Sequence, residues 1–128
     1  MMLINRIDHF VLTVSSIENT IHFYKDILGM EVIHFGNHRY ALKFGNQKIN
    51  LHHKDHIISP SANRPTLGSA DLCLISDTPI EQVISHLNVH KIHIELGPVT
   101  RTGAEGDILS IYLRDPDSNL IEISNYIN

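Results

Sequence analysis

A chain of 128 residues, 42% apolar and 19% charged, suits one compact domain with a core large enough to fold without staples. Its formal charge of -4 argues against nucleic acid, whose phosphates ask for a basic surface, and a single cysteine excludes an intrachain disulfide framework. No apolar run approaches the roughly 20 residues of a membrane span and no signal-peptide pattern opens the chain, so the expectation is a cytoplasmic protein without membrane or nucleic-acid partners.

Residues 7–14 are a mainly apolar run in which Phe10, Leu12 and Val14 alternate with Val11 and Thr13, and predict a first strand. A helix follows, with Ser15 and Glu18 read as a capping box and Ile17, Ile21, Tyr24 and Leu28 on one stripe. Gly29 ends it as a C-cap. Strands are predicted over 31–35, 39–44 and 47–53, separated by the turn signals Gly36-Asn37 and Gly45-Asn46. A polar, proline-bearing linker spans 55–66.

The same grammar then returns. A strand is predicted over 70–75, with Cys73 taken as a buried, inert thiol. Thr78-Pro79-Ile80-Glu81 reads as a second capping box with proline at the first helical position, and Ile80, Val83, Ile84 and Leu87 form the apolar stripe. Strands over 90–95, 108–113 and 120–124 complete the half, with a long loop over 96–107 whose Gly97, Gly103 and Gly106 suit a mobile lid. The chain therefore reads as β-α-β-β-β twice, an α+β protein with internal modules 4–54 and 67–127 inside one domain, 1–128.

Ten histidines against ten lysines and arginines raise the weight of a metal or pH-sensitive site. Arg114-Asp115-Pro116-Asp117-Ser118-Asn119 is a turn that feeds the last strand, where Glu122 stands between Ile121 and Ile123. Period-2 geometry gives Glu122, Leu120 and Ser124 one face, so the carboxylate is solvated, ion-paired or bound to a metal. His9 and Asp71 hold matching places in the two first strands, as Asn50 and Glu122 do in the two last ones. Imidazole plus carboxylates suits a borderline divalent cation. His9, Asp71 and Glu122 are therefore the candidate metal ligands, with His52, two residues beyond Asn50 on the same face, in reserve. Taken singly, each is more often a solvated or hydrogen-bonded strand residue.

These residues resemble the vicinal oxygen chelate superfamily, which includes glyoxalase I, bleomycin-resistance proteins, fosfomycin-resistance enzymes and extradiol dioxygenases. The likeness runs from Ile4 to Tyr126 and is carried by Ile7-Asp8-His9-Phe10-Val11-Leu12-Thr13-Val14, Phe23-Tyr24-Lys25-Asp26-Ile27-Leu28-Gly29-Met30 and Asp115-Pro116-Asp117-Ser118-Asn119-Leu120-Ile121-Glu122. Within the superfamily, the lactoylglutathione lyase-like, glyoxalase domain-containing group is the nearest in motif.

The resemblance implies two paired βαβββ modules in a half-open barrel around one divalent metal (Ni, Mn, Fe, Co or Zn) that acts as a Lewis acid, a small-molecule substrate, and a homodimer. His9 and Glu122 match the family's ligand positions, whereas Asp71 stands where histidine is more common. Asn50 stands where glyoxalase I has a proton-transferring glutamate, and an amide does not titrate. Tyr112 and Glu122 are the candidate catalytic residues, with Arg101, Asn50 and Ser110 on the substrate side. The expected function is a metal-dependent, glyoxalase-like lyase or isomerase acting on a small substrate with adjacent oxygens. A drug- or metabolite-binding module of the bleomycin-resistance kind is the alternative from another class. An extradiol dioxygenase and a fosfomycin-resistance-like transferase are further ones.

Overall fold

The structure is a computed structural model that describes residues 1–128. Strands β1 (His9–Val14), β2 (Glu31–Phe35), β3 (Arg39–Phe44) and β4 (Gln47–His53) make a first four-stranded sheet in the order β1-β4-β3-β2. Strands β5 (Asp71–Ile75), β6 (Leu96–Gly103), β7 (Gly106–Arg114) and β8 (Leu120–Tyr126) make a second, in the order β5-β8-β7-β6. In each sheet the first strand runs parallel to the last and the other pairings are antiparallel. The two halves thus share one topology, and the α+β, twice-βαβββ reading holds. The hydrogen-bonded sheets are two, and neither closes into a barrel.

Met1–Leu67 and Gly68–Asn128 form two compact units. In the first, alternation sends Leu12, Val14, Leu42, Ile49 and Leu51 to one sheet face, where they are buried together with Phe23, Tyr24 and Ile27 of the helical segment. Each such side chain stabilises the unit by about 1.5–3 kcal/mol. The helix differs from its sequence reading. Its cap is Ser16, whose hydroxyl accepts from the Asn19 amide at 3.1 Å, rather than Ser15. After α1 (Ile17–Ile21) the coil widens into a π-helical turn, His22–Ile27, which closes with Leu28 N donating to Phe23 O. Gly29, at a φ of 81°, then lets Met30 N reach back to Tyr24 O.

In the second unit, Ile111, Leu113, Ile121 and Ile123 are buried on one face, with Ile80 and Leu87 of helix α2 (Ile80–Val89) buried alongside. Pro79 occupies the cap and no side chain caps the helix, so the expected Thr78–Glu81 box does not form. Ser76 instead uses its hydroxyl on the Thr78 amide, at 3.0 Å.

Two further expectations are corrected here. Residues 90–95 are not a strand: Ile92 N returns to Leu87 O and Lys91 takes a φ of 57°, which ends the helix in a turn. The strand is the segment read as a lid loop. Leu96–Gly103 pairs with β7 across a bulge between Leu96 and Val99. Pro98 is tolerated because β6 is an edge strand, where a missing N–H need not break a ladder. Gly97 and Gly103 are close-approach glycines rather than hinges. A Cβ on Gly97 would lie 2.5 Å from Ser110 O, and one on Gly103 would lie 2.8 Å from Gly106 O.

The turn before β8 is held from inside. Asp115 accepts from the Asp117 and Asn119 amides and from Asn119 Nδ2, while Asn119 Oδ1 takes the Ala70 amide at 2.9 Å. That knot fixes where β5 and β8 begin to pair, and therefore where Glu122 falls.

Candidate functional site

Register places the chemistry of the second unit. Glu122 on β8 is opposite Cys73 on β5 and opposite Tyr112 on β7. Ser124, the next residue on the same face, is opposite Ser110. The open face of the sheet therefore carries a row of thiol, carboxylate and phenol, with a row of hydroxyls beside it.

Arg101 reaches this row from β6. Its Nε donates to the Tyr112 hydroxyl oxygen at 3.0 Å, and its guanidinium carbon lies 5.6 Å from the centre of the Tyr112 ring. The phenol thus accepts a charge-assisted hydrogen bond and keeps its own proton to donate. Cys73, Arg101, Tyr112 and Glu122, with Ile108 and Tyr126, line one cavity of about 490 Å³. Such a volume suits a small metabolite.

Ser110 does not line that cavity. It is fully buried, and its hydroxyl meets the Ser124 hydroxyl at 2.6 Å. Ser124 also lies 3.3 Å from the Cys73 thiol, with a weaker contact of 3.5 Å to Glu122 Oε2. Cys73 is exposed to the cavity rather than buried. Burial of its surroundings pushes the thiol pKa up; the Ser124 contact pulls it down, and the Glu122 charge adds to the rise. The alternation Leu72-Cys73-Leu74 carried that signal, since the two leucines claim the covered face and leave the thiol the open one.

The candidate metal donors have other partners. His9, half-exposed at the start of β1, holds Asp8 Oδ1 through Nδ1 at 2.8 Å, and this contact holds the Asp8 carboxyl below its usual range. Asp71 is exposed and adds to the field that keeps the Arg114 guanidinium charged, behind the larger effect of the bidentate Glu95 pair. Nowhere in the chain do three or more His, Cys, Asp or Glu side chains gather into a group that could hold a metal ion.

Asn50 and His52 sit together on β4. Both are 6% exposed. Burial, and then the charge of Arg39, push the His52 pKa down. Asn50 Oδ1 is buried with no hydrogen-bond partner.

Residues 6–123 match the Glyoxalase/Bleomycin resistance protein/Dioxygenase superfamily, and the chain belongs to it. It is 57% identical over 126 residues to "Virulence protein STM3117" of Salmonella typhimurium, covering 98% of this chain and 88% of that protein. The crystal structure of that relative superposes with a TM-score of 0.97 over 98% of this chain and 100% of the other. The "Glyoxalase domain-containing protein RDO1" of Mycosarcoma maydis is 50% identical, over 96% of this chain and 69% of its own length. The lactoylglutathione lyase of Agrobacterium tumefaciens shares the fold, with a TM-score of 0.74 at 20% identity over 96% of this chain and 95% of that one. Members of the superfamily bind small molecules, often use a divalent metal and often dimerise. No helix here is long and apolar enough to cross a membrane.

Proposed function

We propose that the chain is a glyoxalase-like lyase or isomerase that acts, in the cavity of its second unit, on a small substrate with adjacent oxygen atoms. One observation carries this reading: Glu122 lines the same cavity as a Tyr112 hydroxyl already bonded to Arg101. A substrate carbonyl oxygen accepts the Tyr112 proton as a hydrogen bond. The Arg101 guanidinium behind the phenol supports negative charge as it grows on that oxygen. Glu122 takes a proton from the hydroxyl-bearing carbon beside the carbonyl and returns it to the former carbonyl carbon, while the hydroxyl proton passes to the oxygen that Tyr112 holds, so the isomerisation balances. Asn50 cannot share this work, because its amide does not titrate.

A divalent metal would add Lewis-acid polarisation of the same oxygen. His9, Asp71 and Glu122, with His52 in reserve, are the donors the sequence offers, and no step above depends on it. The protein is expected to work as a homodimer, which light scattering in solution would read directly.

The test is turnover of the hemithioacetal of methylglyoxal and glutathione, with metal analysis of the wild type and of Glu122→Ala. Glu122→Ala should lose at least about 100-fold in kcat. Tyr112→Phe should lose roughly 10- to 100-fold with little change in KM. No turnover by the wild type, with or without added Ni²⁺, Mn²⁺, Fe²⁺, Co²⁺ or Zn²⁺, removes the reaction. A metabolite-binding module then stands, a reading favoured by the non-titrating Asn50.

A further inference from the structure

Helix α2 buries Ile80 and Leu87 and leaves a pair of imidazoles, His86 and His90, exposed at its C-terminal end. No residue of this helix lines the cavity that holds Glu122 and Tyr112. The pair therefore plays no part in the chemistry described above.

The two histidines stand one helical turn apart, and that spacing survives the end of the helix at Val89. His90 N donates to His86 O at 3.2 Å, which keeps the two backbones in helical register. Ile92 N then closes the end on Leu87 O at 2.9 Å, with Lys91 in the turn at a φ of 57°. Across this turn the two rings lie 4.6 Å apart, centre to centre, tilted by 59°. His9, His22 and His53 each sit beside an aspartate. In this pair the neighbour of each imidazole is a second imidazole.

Imidazoles at i and i+4 on one helix face can close on a single metal ion. With metal–nitrogen bonds of about 2.0–2.1 Å, two rings on one ion, at angles between square and tetrahedral, hold their centres roughly 4.5–5.2 Å apart. The observed 4.6 Å lies inside that window, so the rings already have the spread of a chelate. The last turn of a helix also favours a cation, because its carbonyl ends carry partial negative charge. Burial of Leu87 between the two residues and the closed helix end fix their backbone, so an ion has little left to order.

We propose that His86 and His90 form a two-imidazole site for a divalent ion of the later first-row transition series, Cu²⁺ above Ni²⁺ and Zn²⁺. Imidazole nitrogen selects such ions over Mg²⁺ and Ca²⁺, which take oxygen ligands. Two protein ligands leave the other positions to water, so the ion exchanges readily rather than holding the fold together. The site shares no residue with His9, Asp71, Glu122 or His52, and it is independent of the reaction proposed for the cavity.

The test uses Zn²⁺, which is diamagnetic, titrated alone into the full-length ¹⁵N-labelled chain at pH 7.5 while imidazole and backbone resonances are followed. His86 and His90 should shift together and saturate at one ion for the pair, and Mg²⁺ at the same concentration should shift neither. His86→Gln and His90→Gln, both at exposed positions, should each weaken Zn²⁺ at the remaining ring by at least about tenfold, because the second, intramolecular bond is lost. His93→Gln, an exposed histidine beyond the helix end, should leave the affinity unchanged. Shifts at only one of the two rings overturn the proposal. So does an affinity at one ring that survives substitution of the other. Shifts confined to His9, His52, Asp71 and Glu122 overturn it as well, and would assign the ion to those donors.

Discussion

Glu122 has no strong partner of its own on the sheet, and that is what makes it available for chemistry. Its neighbours are a thiol, a phenol and a serine hydroxyl already taken by Ser110. Partial burial raises the Cys73 thiol pKa, and the charge of the same carboxylate adds a smaller push in that direction, so the neutral thiol is favoured. Alkylation by iodoacetamide at pH 8 should therefore be slower than for a free cysteine. Glu122→Gln, which removes the charge and keeps the shape, should accelerate it several-fold; an unchanged rate would show that the two groups are not coupled. Tyr112 and Arg101 are best separated by pairing their substitutions. If the phenol acts through the guanidinium behind it, Arg101→Met and Tyr112→Phe should not add in kcat.

The elements β2, β3 and β4 were fully legible, because Gly36-Asn37 and Gly45-Asn46 punctuate them and leave little freedom of register. Strand β6 was not. Gly97-Pro98 carries the signature of a breaker, but at a sheet edge the lost N–H costs no ladder bond and the bulge absorbs the misfit. That strand carries Arg101, so the long glycine-bearing segment is a paired strand that lines the cavity rather than an unpaired loop over it. Gly97→Ala tests this element. It would set a Cβ against Ser110 O at a φ of 110°, and should cost about 2–3 kcal/mol in urea unfolding. Gly106→Ala meets nothing within 4 Å and carries only the penalty of its φ of 135°, so it should cost nearer 1 kcal/mol. Equal losses would show that the tight approach of β6 to β7 is not the source of the effect. The buried Asp115–Asn119 knot should matter as much. Asn119→Ala removes bonds to Asp115 and Ala70, and should cost about 2–3 kcal/mol.

At the scale of the molecule, the ten histidines divide into more exposed groups and one buried titrating group, His52, with Thr13 opposite it on β1 and the charge of Arg39 acting on it. Its folded pKa lies below the ordinary 6.5, so on acidification the unfolded chain binds this proton first. Stability is then fully present above pH 6.5 and falls as the pH drops through that value and on through the lower, folded pKa. Chemical denaturation at pH 7.5 and 5.5 should show the decline, and His52→Asn should make it shallower. A slope untouched by the substitution would place the acid sensitivity elsewhere. The sign is opposite to that of a histidine stabilised by a carboxylate, because here burial and a cation both resist the charge.

What the sequence by itself determined is the repeated βαβββ grammar, the face on which the residues of every strand but β6 lie, and the superfamily, since alternation and turn chemistry are local properties. The open position of Cys73 was readable from the same alternation, although the apolar run around it pointed the other way. Only the tertiary structure decided that Arg101 meets Tyr112 beside Glu122, that Ser110 is spent on Ser124, and that the acceptor of Asn50 is left without a donor. The first two depend on the register between consecutive strands, 11 residues apart for Arg101 and Tyr112 and 14 for Ser110 and Ser124, and on how far a long side chain reaches across them. Pairing register and side-chain reach are properties of the assembled sheet, and alternation within one strand encodes neither.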